Sequence, residues 1–215
     1  MRLSLVGMSG SGKSFWSGRL FRSGFRLICC DDLIAAGLVA DLGTTGGSIG
    51  AVGRWMGFPF ERHYKEREGS YLACEMEVMA QILGELSMGG DNIEGDIVVD
   101  TTGSVIYTGE ETLLKLRQCT TVVHLATPLE IQKVMLRAYM KSPRPVLWRE
   151  AFSKRPEETN EQALARCYPQ LLASRELQYQ KLAHVTISYY KHRKAGFDVE
   201  EFLSEARLGF AHLQT

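Results

Sequence analysis

Short apolar runs alternate along the chain with longer amphipathic stretches, and the two patterns predict strands and helices in turn. Arg2–Val6, Phe25–Cys30, Ile97–Val99 ending at Asp100, Thr121–Leu125 and His184–Ser188 are the strand candidates. Continuous apolar runs of this kind belong to strands covered on both faces. Between Tyr64 and Leu86 the apolar positions 72, 76, 79, 83 and 86 fall at steps of four and three, which draws one stripe along a helix. That register places Met76 and Met79 in the core.

Other helices are expected up to Arg22, with Phe15, Trp16 and Leu20 packing, and after Asp31-Asp32, carrying Leu33, Ile34, Leu38 and Val39. Thr127-Pro128-Leu129-Glu130 reads as a capping box with proline at the first helical position. That helix runs to Ser142-Pro143. Pro169 is expected to divide two later helices. Asp198 and Glu201 form a second box before a terminal helix, flanked by Phe197 and Phe202 as a staple. Gly43–Gly57 holds six glycines and reads as a mobile loop, and Gly89-Gly90 reads as a helix stop. Five strands alternating with helices imply one α/β domain over 1–215 with a parallel sheet.

The first strand runs directly into Gly7-Met8-Ser9-Gly10-Ser11-Gly12-Lys13-Ser14, which fits G-x-x-x-x-G-K-[ST] at every fixed position. Glycines let successive N–H groups turn inward and make a nest for phosphate oxygens. The following helix N-terminus favours negative charge. Lys13 suits the β- and γ-phosphates and the Ser14 hydroxyl suits Mg²⁺. Asp100 ends a buried strand, where it orients a metal or simply caps the next turn. Asp31 ends the neighbouring strand, where it accepts a proton from an attacking hydroxyl or serves, like Asp32, as a helix cap.

Composition narrows the partners. Lys plus Arg equals Asp plus Glu at 25 each, so no bulk field points to nucleic acid or a membrane. The five cysteines show no metal spacing, which suits reduced thiols in a cytoplasmic protein. Met1 stands directly before the first strand, so no targeting peptide is expected. No apolar run approaches a membrane span. Seven Lys or Arg residues against one acid, Glu150, lie between Lys133 and Arg155. Arg137 and Arg144 flank the Ser142-Pro143 breaker there, as a closing lid over approximately 137–160 requires. No Asn-Lys-x-Asp guanine motif exists, so a GTPase is not expected.

These landmarks together resemble the shikimate kinases, within the wider group of small P-loop kinases. The resemblance rests on the loop at 7–14, Asp31 before Leu33-Ile34, and Tyr64-Lys65-x-x-Glu68-x-x-x-Leu72. Thr101-Thr102-Gly103-Ser104, Arg137 with Arg144-Pro145-Val146-Leu147, and Arg175-x-x-x-Tyr179-x-x-x-Ala183 complete it. It implies a P-loop NTPase three-layer sandwich, with sheet order 2-3-1-4-5 and a mobile lid. It also implies ATP at Gly10, Ser11, Gly12, Lys13, Ser14, Phe15, Arg137 and Arg144, and Mg²⁺ at Ser14 and Asp100. Lys13, Asp31 and Arg144 would be catalytic, and Asp31, Lys65, Gly103 and Arg175 would hold the acceptor.

Two departures alter the acceptor side. Lys65 stands where the family has arginine, and Thr102-Gly103-Ser104 replaces a three-glycine turn. The expected activity is therefore ATP-dependent phosphorylation of a hydroxyl on a small anionic metabolite, by a monomer. A nucleoside or nucleotide kinase and a P-loop regulatory protein are the alternatives.

Overall fold

Leu3, Leu5 and Val6 have no exposed surface, and this fixes β1 (Arg2–Val6) at the centre of the sheet. The structure, a computed structural model, describes residues 1–43, 47–88 and 95–211. After β1 come α1 (Lys13–Arg22), β2 (Arg26–Cys29), α2 (Cys30–Gly37), α3 (Val39–Leu42), α4 (Ile49–Met56) and α5 (Tyr64–Met88). Then follow β3 (Ile97–Asp100), α6 (Glu110–Cys119), β4 (Thr121–Leu125), α7 (Leu129–Lys141) and α8 (Asn160–Leu182). The chain closes with β5 (Val185–Ile187), α9 (Tyr189–His192) and α10 (Val199–Ala211).

The strands form one parallel sheet in the order β2-β3-β1-β4-β5, as expected. Alternate residues of the inner strands feed opposite faces, because side chains in a strand alternate. Leu3, Leu5, Val98, Val123 and Leu125 pack with Trp16 and Leu20 of α1 and Phe202 and Ala206 of α10. Val6, Ile97, Val99 and Val122 face α2, α5 and α8. The result is helix, sheet, helix. Asp198 and Glu201 exchange both bonds of their capping box, and Phe197 and Phe202 both pack on Trp16. Among the described residues, no helix is long and apolar enough to cross a membrane.

Several local expectations fail, each for a physical reason. The glycine-rich stretch is not all loop. Ser48 caps α4, accepting from Ala51 N at 3.2 Å, and Ala51, Val52 and Met56 are buried. Pro169 sits inside an unbroken α8, where buried neighbours Cys167, Tyr168, Leu171 and Leu172 offset the lost backbone bond. The box at Thr127 does not form, because Pro128 itself occupies the N-cap and Thr127 lies one position too early. On α5 the buried stripe runs through Tyr64, Glu68, Tyr71, Glu75, Val78, Met79, Ile82, Leu83 and Leu86, leaving Met76 exposed. Phe15 and Val39 are exposed as well. Gly89-Gly90 lies outside the described residues.

The segment expected as a free lid is tied down after Pro143. Val146, Leu147 and Trp148 are buried. The Tyr64 hydroxyl lies 2.6 Å from the Val146 carbonyl and accepts from Trp148 N at 2.9 Å. Glu68 Oε1 accepts from Arg149 N at 2.9 Å and so holds Arg149 at a φ of 51°. Gly53 of α4 allows the close approach, since a Cβ there would come within 2.2 Å of the Pro143 carbonyl oxygen.

Gly53→Ala should therefore lower unfolding free energy by about 1–3 kcal/mol, read by denaturant titration. Gly69→Ala, on α5 with nothing within 4 Å of the added Cβ, should instead raise it by about 0.5–1 kcal/mol. Equal effects at the two positions would remove the strap contact from the account.

Candidate active site at the carboxyl edge of the sheet

Parallel strands place all their carboxyl ends on one edge, and ligands bind there. Gly7, Gly10 and Gly12 adopt φ values of 140°, 87° and 114°, which side chains disfavour. The loop they permit turns Ser11 N back to Met8 O at 3.0 Å and starts α1 at Lys13. Lys13 is buried, and its Nζ donates to Gly7 O at 2.8 Å and Met8 O at 3.1 Å. Burial lowers its pKa, while Asp100 and Asp31 pull the other way. Ser11 Oγ is buried with no hydrogen-bond partner among the described residues.

Asp100 pairs in register with Cys29 on one side and Leu5 on the other, which carries its carboxylate under the loop. Oδ2 accepts from Ser17 Oγ at 3.0 Å, whereas buried Oδ1 has no hydrogen-bond partner among the described residues. An orphaned carboxylate oxygen next to Ser17, whose hydroxyl also lies 3.3 Å from Ser14 O, fits Mg²⁺, which keeps few protein ligands and takes the rest from phosphate and water. Among the described residues, no cluster of three or more His, Cys, Asp or Glu could hold a metal unaided. Burial raises the Asp31 carboxyl to about 6, against the pull of Lys13 and Arg144.

These groups surround a cavity of about 460 Å³. Its wall includes Gly10, Gly12, Lys13, Ser14, Phe15, Asp31, Gly103 and Arg144 from the expected set. Ser11 and Asp100 lie buried beside it. Arg175 is only 3% exposed and stands behind the wall. Its Nη1 donates to Gly103 O at 3.2 Å, its Nη2 donates to Leu147 O, and its guanidinium lies 5.3 Å over the Tyr107 ring. Lys65 and Arg137 are exposed and are not part of the wall.

The sequence reading placed Thr102 and Ser104 on the acceptor side but missed their partner, Glu75. Thr102 and Ser104 hydroxyls donate to Glu75, the latter at 2.7 Å, and Ser104 N donates to Thr102 Oγ1 at 3.1 Å. Glu75 is 1% exposed, and burial raises its carboxyl to about 7 against those hydrogen bonds. Its spacing of seven from Glu68 was the available signal, since both share the buried stripe with Tyr64 and Tyr71. Tyr71, Tyr139 and Tyr168 complete the far wall. His192 was also missed. It accepts from Trp16 Nε1 at 3.3 Å beside the P-loop, and burial lowers its pKa to about 4.

No protein-family model matches the sequence, and no curated protein does. Solved structures do match. A shikimate kinase from Acinetobacter baumannii, in complex with shikimate, aligns with a TM-score of 0.58 at 22% identity, covering 100% of this chain and 94% of that one. The fold is shikimate kinase-like. A shikimate kinase from Bacteroides thetaiotaomicron aligns with a TM-score of 0.49 at 15% identity, over 100% of this chain and 99% of that one.

The two raised carboxyls bear on stability. Each folded pKa lies above its unfolded value, so the folded state holds the proton more tightly. Their stabilising contribution is full below about 4 and is lost as pH rises, through about 6 for Asp31 and about 7 for Glu75. Melting temperature should fall between about pH 5 and pH 7.5, and Glu75→Gln should flatten that fall. A Glu75→Gln protein with the unmodified pH dependence would contradict the assignment.

Proposed function

We propose that the protein is a phosphotransferase that moves the γ-phosphoryl group of ATP to a hydroxyl of a small molecule. The observation that carries this reading is one cavity joining the Lys13 cradle to the Asp31 carboxylate. The loop N–H groups and Lys13 would hold the phosphates. Ser14 and Asp100 would hold Mg²⁺, which supplies charge neutralisation at the β- and γ-phosphoryl oxygens. Phe15, at the cavity wall, and Arg137, on exposed α7, remain assigned to the nucleotide side.

In the transfer, the acceptor oxygen attacks the γ-phosphorus and a new O–P bond forms. The bond from that phosphorus to the β,γ-bridging oxygen breaks, and ADP leaves. Asp31 orients the hydroxyl and takes its proton. Its raised pKa keeps it basic enough for this near neutrality. Arg144 stands beside Asp31 and neutralises charge on the transferring group. The strap that carries Arg144 excludes water, which would otherwise compete as acceptor.

Balanced charge and the enclosed cavity suit a cytoplasmic monomer acting on a metabolite rather than on nucleic acid. The anionic acceptor expected from the sequence draws no support from the positions of Lys65 and Arg175. A nucleoside acceptor gains one observation in its favour, the tyrosines around the far wall. A regulatory NTP-binding role draws on nothing beyond the P-loop.

Lys13→Met should lower acceptor-stimulated ADP release on the order of 10²-fold or more, with the circular dichroism spectrum unchanged. Near-normal turnover in that variant would sink the reading. Arg144→Ala should depress kcat more than ATP affinity, and the opposite split would make Arg144 a ground-state contact. Since Asp31 must be ionised to accept a proton, kcat/KM should rise with pH through about 6. Asp31→Asn should abolish that limb along with most turnover.

A further inference from the structure

The far side of the cavity offers rings, hydroxyls and carboxylates, with no cation to spare. Lys13 and Arg144 are the positive residues of its wall. Lys13 lies on the P-loop carbonyls, and Arg144 stands close enough to Asp31 to oppose its raised pKa. Under the proposed function both meet a triphosphate that keeps surplus negative charge even with Mg²⁺ bound. Arg175 donates to Gly103 O and Leu147 O and does not line the wall, although its buried Nε has no hydrogen-bond partner among the described residues. Lys65 is exposed and outside the wall.

The hydrogen-bond polarity of the floor has the same sense. Thr102, which lines the wall with Gly103, gives its hydroxyl proton to Glu75. Its oxygen can then only accept from a ligand. A carboxylate, which only accepts, gets no proton from Thr102 and shares the wall with the Asp31 carboxyl, with Glu75 behind Thr102. A ligand hydroxyl, which donates, is matched. Tyr71, Tyr139 and Tyr168 add aromatic surface, with Tyr139 and Tyr168 stacked at 6.1 Å and 13°.

We infer that the acceptor is an uncharged, ring-bearing polyol, a sugar, cyclitol or nucleoside rather than an acid, with one hydroxyl at Asp31 and its ring against the tyrosine wall. Glu75 is the specificity-determining residue, acting through the orientation of the Thr102 and Ser104 hydroxyls. The inference rests on the phosphotransfer reading.

The test is Mg²⁺- and ATP-dependent product formation with matched probes: glucose against gluconate, methyl shikimate against shikimate, and uridine against orotidine. At least one pair should be turned over with kcat/KM at least about tenfold higher for the uncharged member, as an unpaired buried charge demands. The sugar, cyclitol-like and nucleoside arms identify the ring. Glu75→Gln, checked for folding by circular dichroism, should shrink that ratio at least about threefold by removing the carboxylate beneath Thr102. Faster turnover of the acid in any pair overturns the inference, and an unchanged ratio in folded Glu75→Gln overturns the role given to Glu75. Failure of every uncharged probe also overturns it. ATP binding, measured separately by calorimetry, then shows whether the nucleotide half of the proposed function survives.

Discussion

A buried ammonium group, Lys13, is the interaction on which the arrangement of this chain depends. Burying a lone charge is costly unless it is paired and hydrogen-bonded. Here two P-loop carbonyls accept from it, and Asp31 and Asp100 supply opposite charge. Those partners come from the first turn of α2, directly after β2, and from the end of β3, so the order β2-β3-β1 is what brings the carboxylates to the lysine. The same geometry keeps the ammonium beside a loop whose N–H groups favour phosphate. Stability and chemistry therefore draw on one set of contacts.

The second constraint is the strap after α7. Its backbone is held by Tyr64, Glu68 and Arg175, and its aromatic residue Trp148 packs among Tyr139, Phe152 and Tyr168. These contacts leave Arg144 exposed at the cavity while the following residues are buried. The same contacts hold two N–H groups of Arg175 on main-chain carbonyls and keep its side chain out of the cavity wall.

The strand pattern, the P-loop and the order of landmarks were legible because each is written in local sequence. Continuous apolar runs marked buried strands, and the fixed glycines marked the nest. The α5 register was not legible from apolar residues alone, since its buried stripe includes Glu68 and Glu75, whose partners come from remote segments. Those partners are Arg149 on the strap and the Thr102–Ser104 turn. The helix within the glycine-rich stretch was hidden for a similar reason. Gly53 is there for the approach of Pro143, not for flexibility. Pro169 misled because tertiary packing outweighed its local cost.

Under the proposed function Asp100 would mark a phosphate-and-metal edge, because it has one oxygen held by Ser17 and one without a partner among the described residues. The direct measurement is calorimetric titration of ATP into the protein and into Asp100→Asn, each with Mg²⁺ and with chelator. One saturable site should appear, weakened at least about tenfold by Asp100→Asn in Mg²⁺ and nearly unchanged in chelator. Absence of saturable ATP binding, or an equal loss under both conditions, would contradict the account.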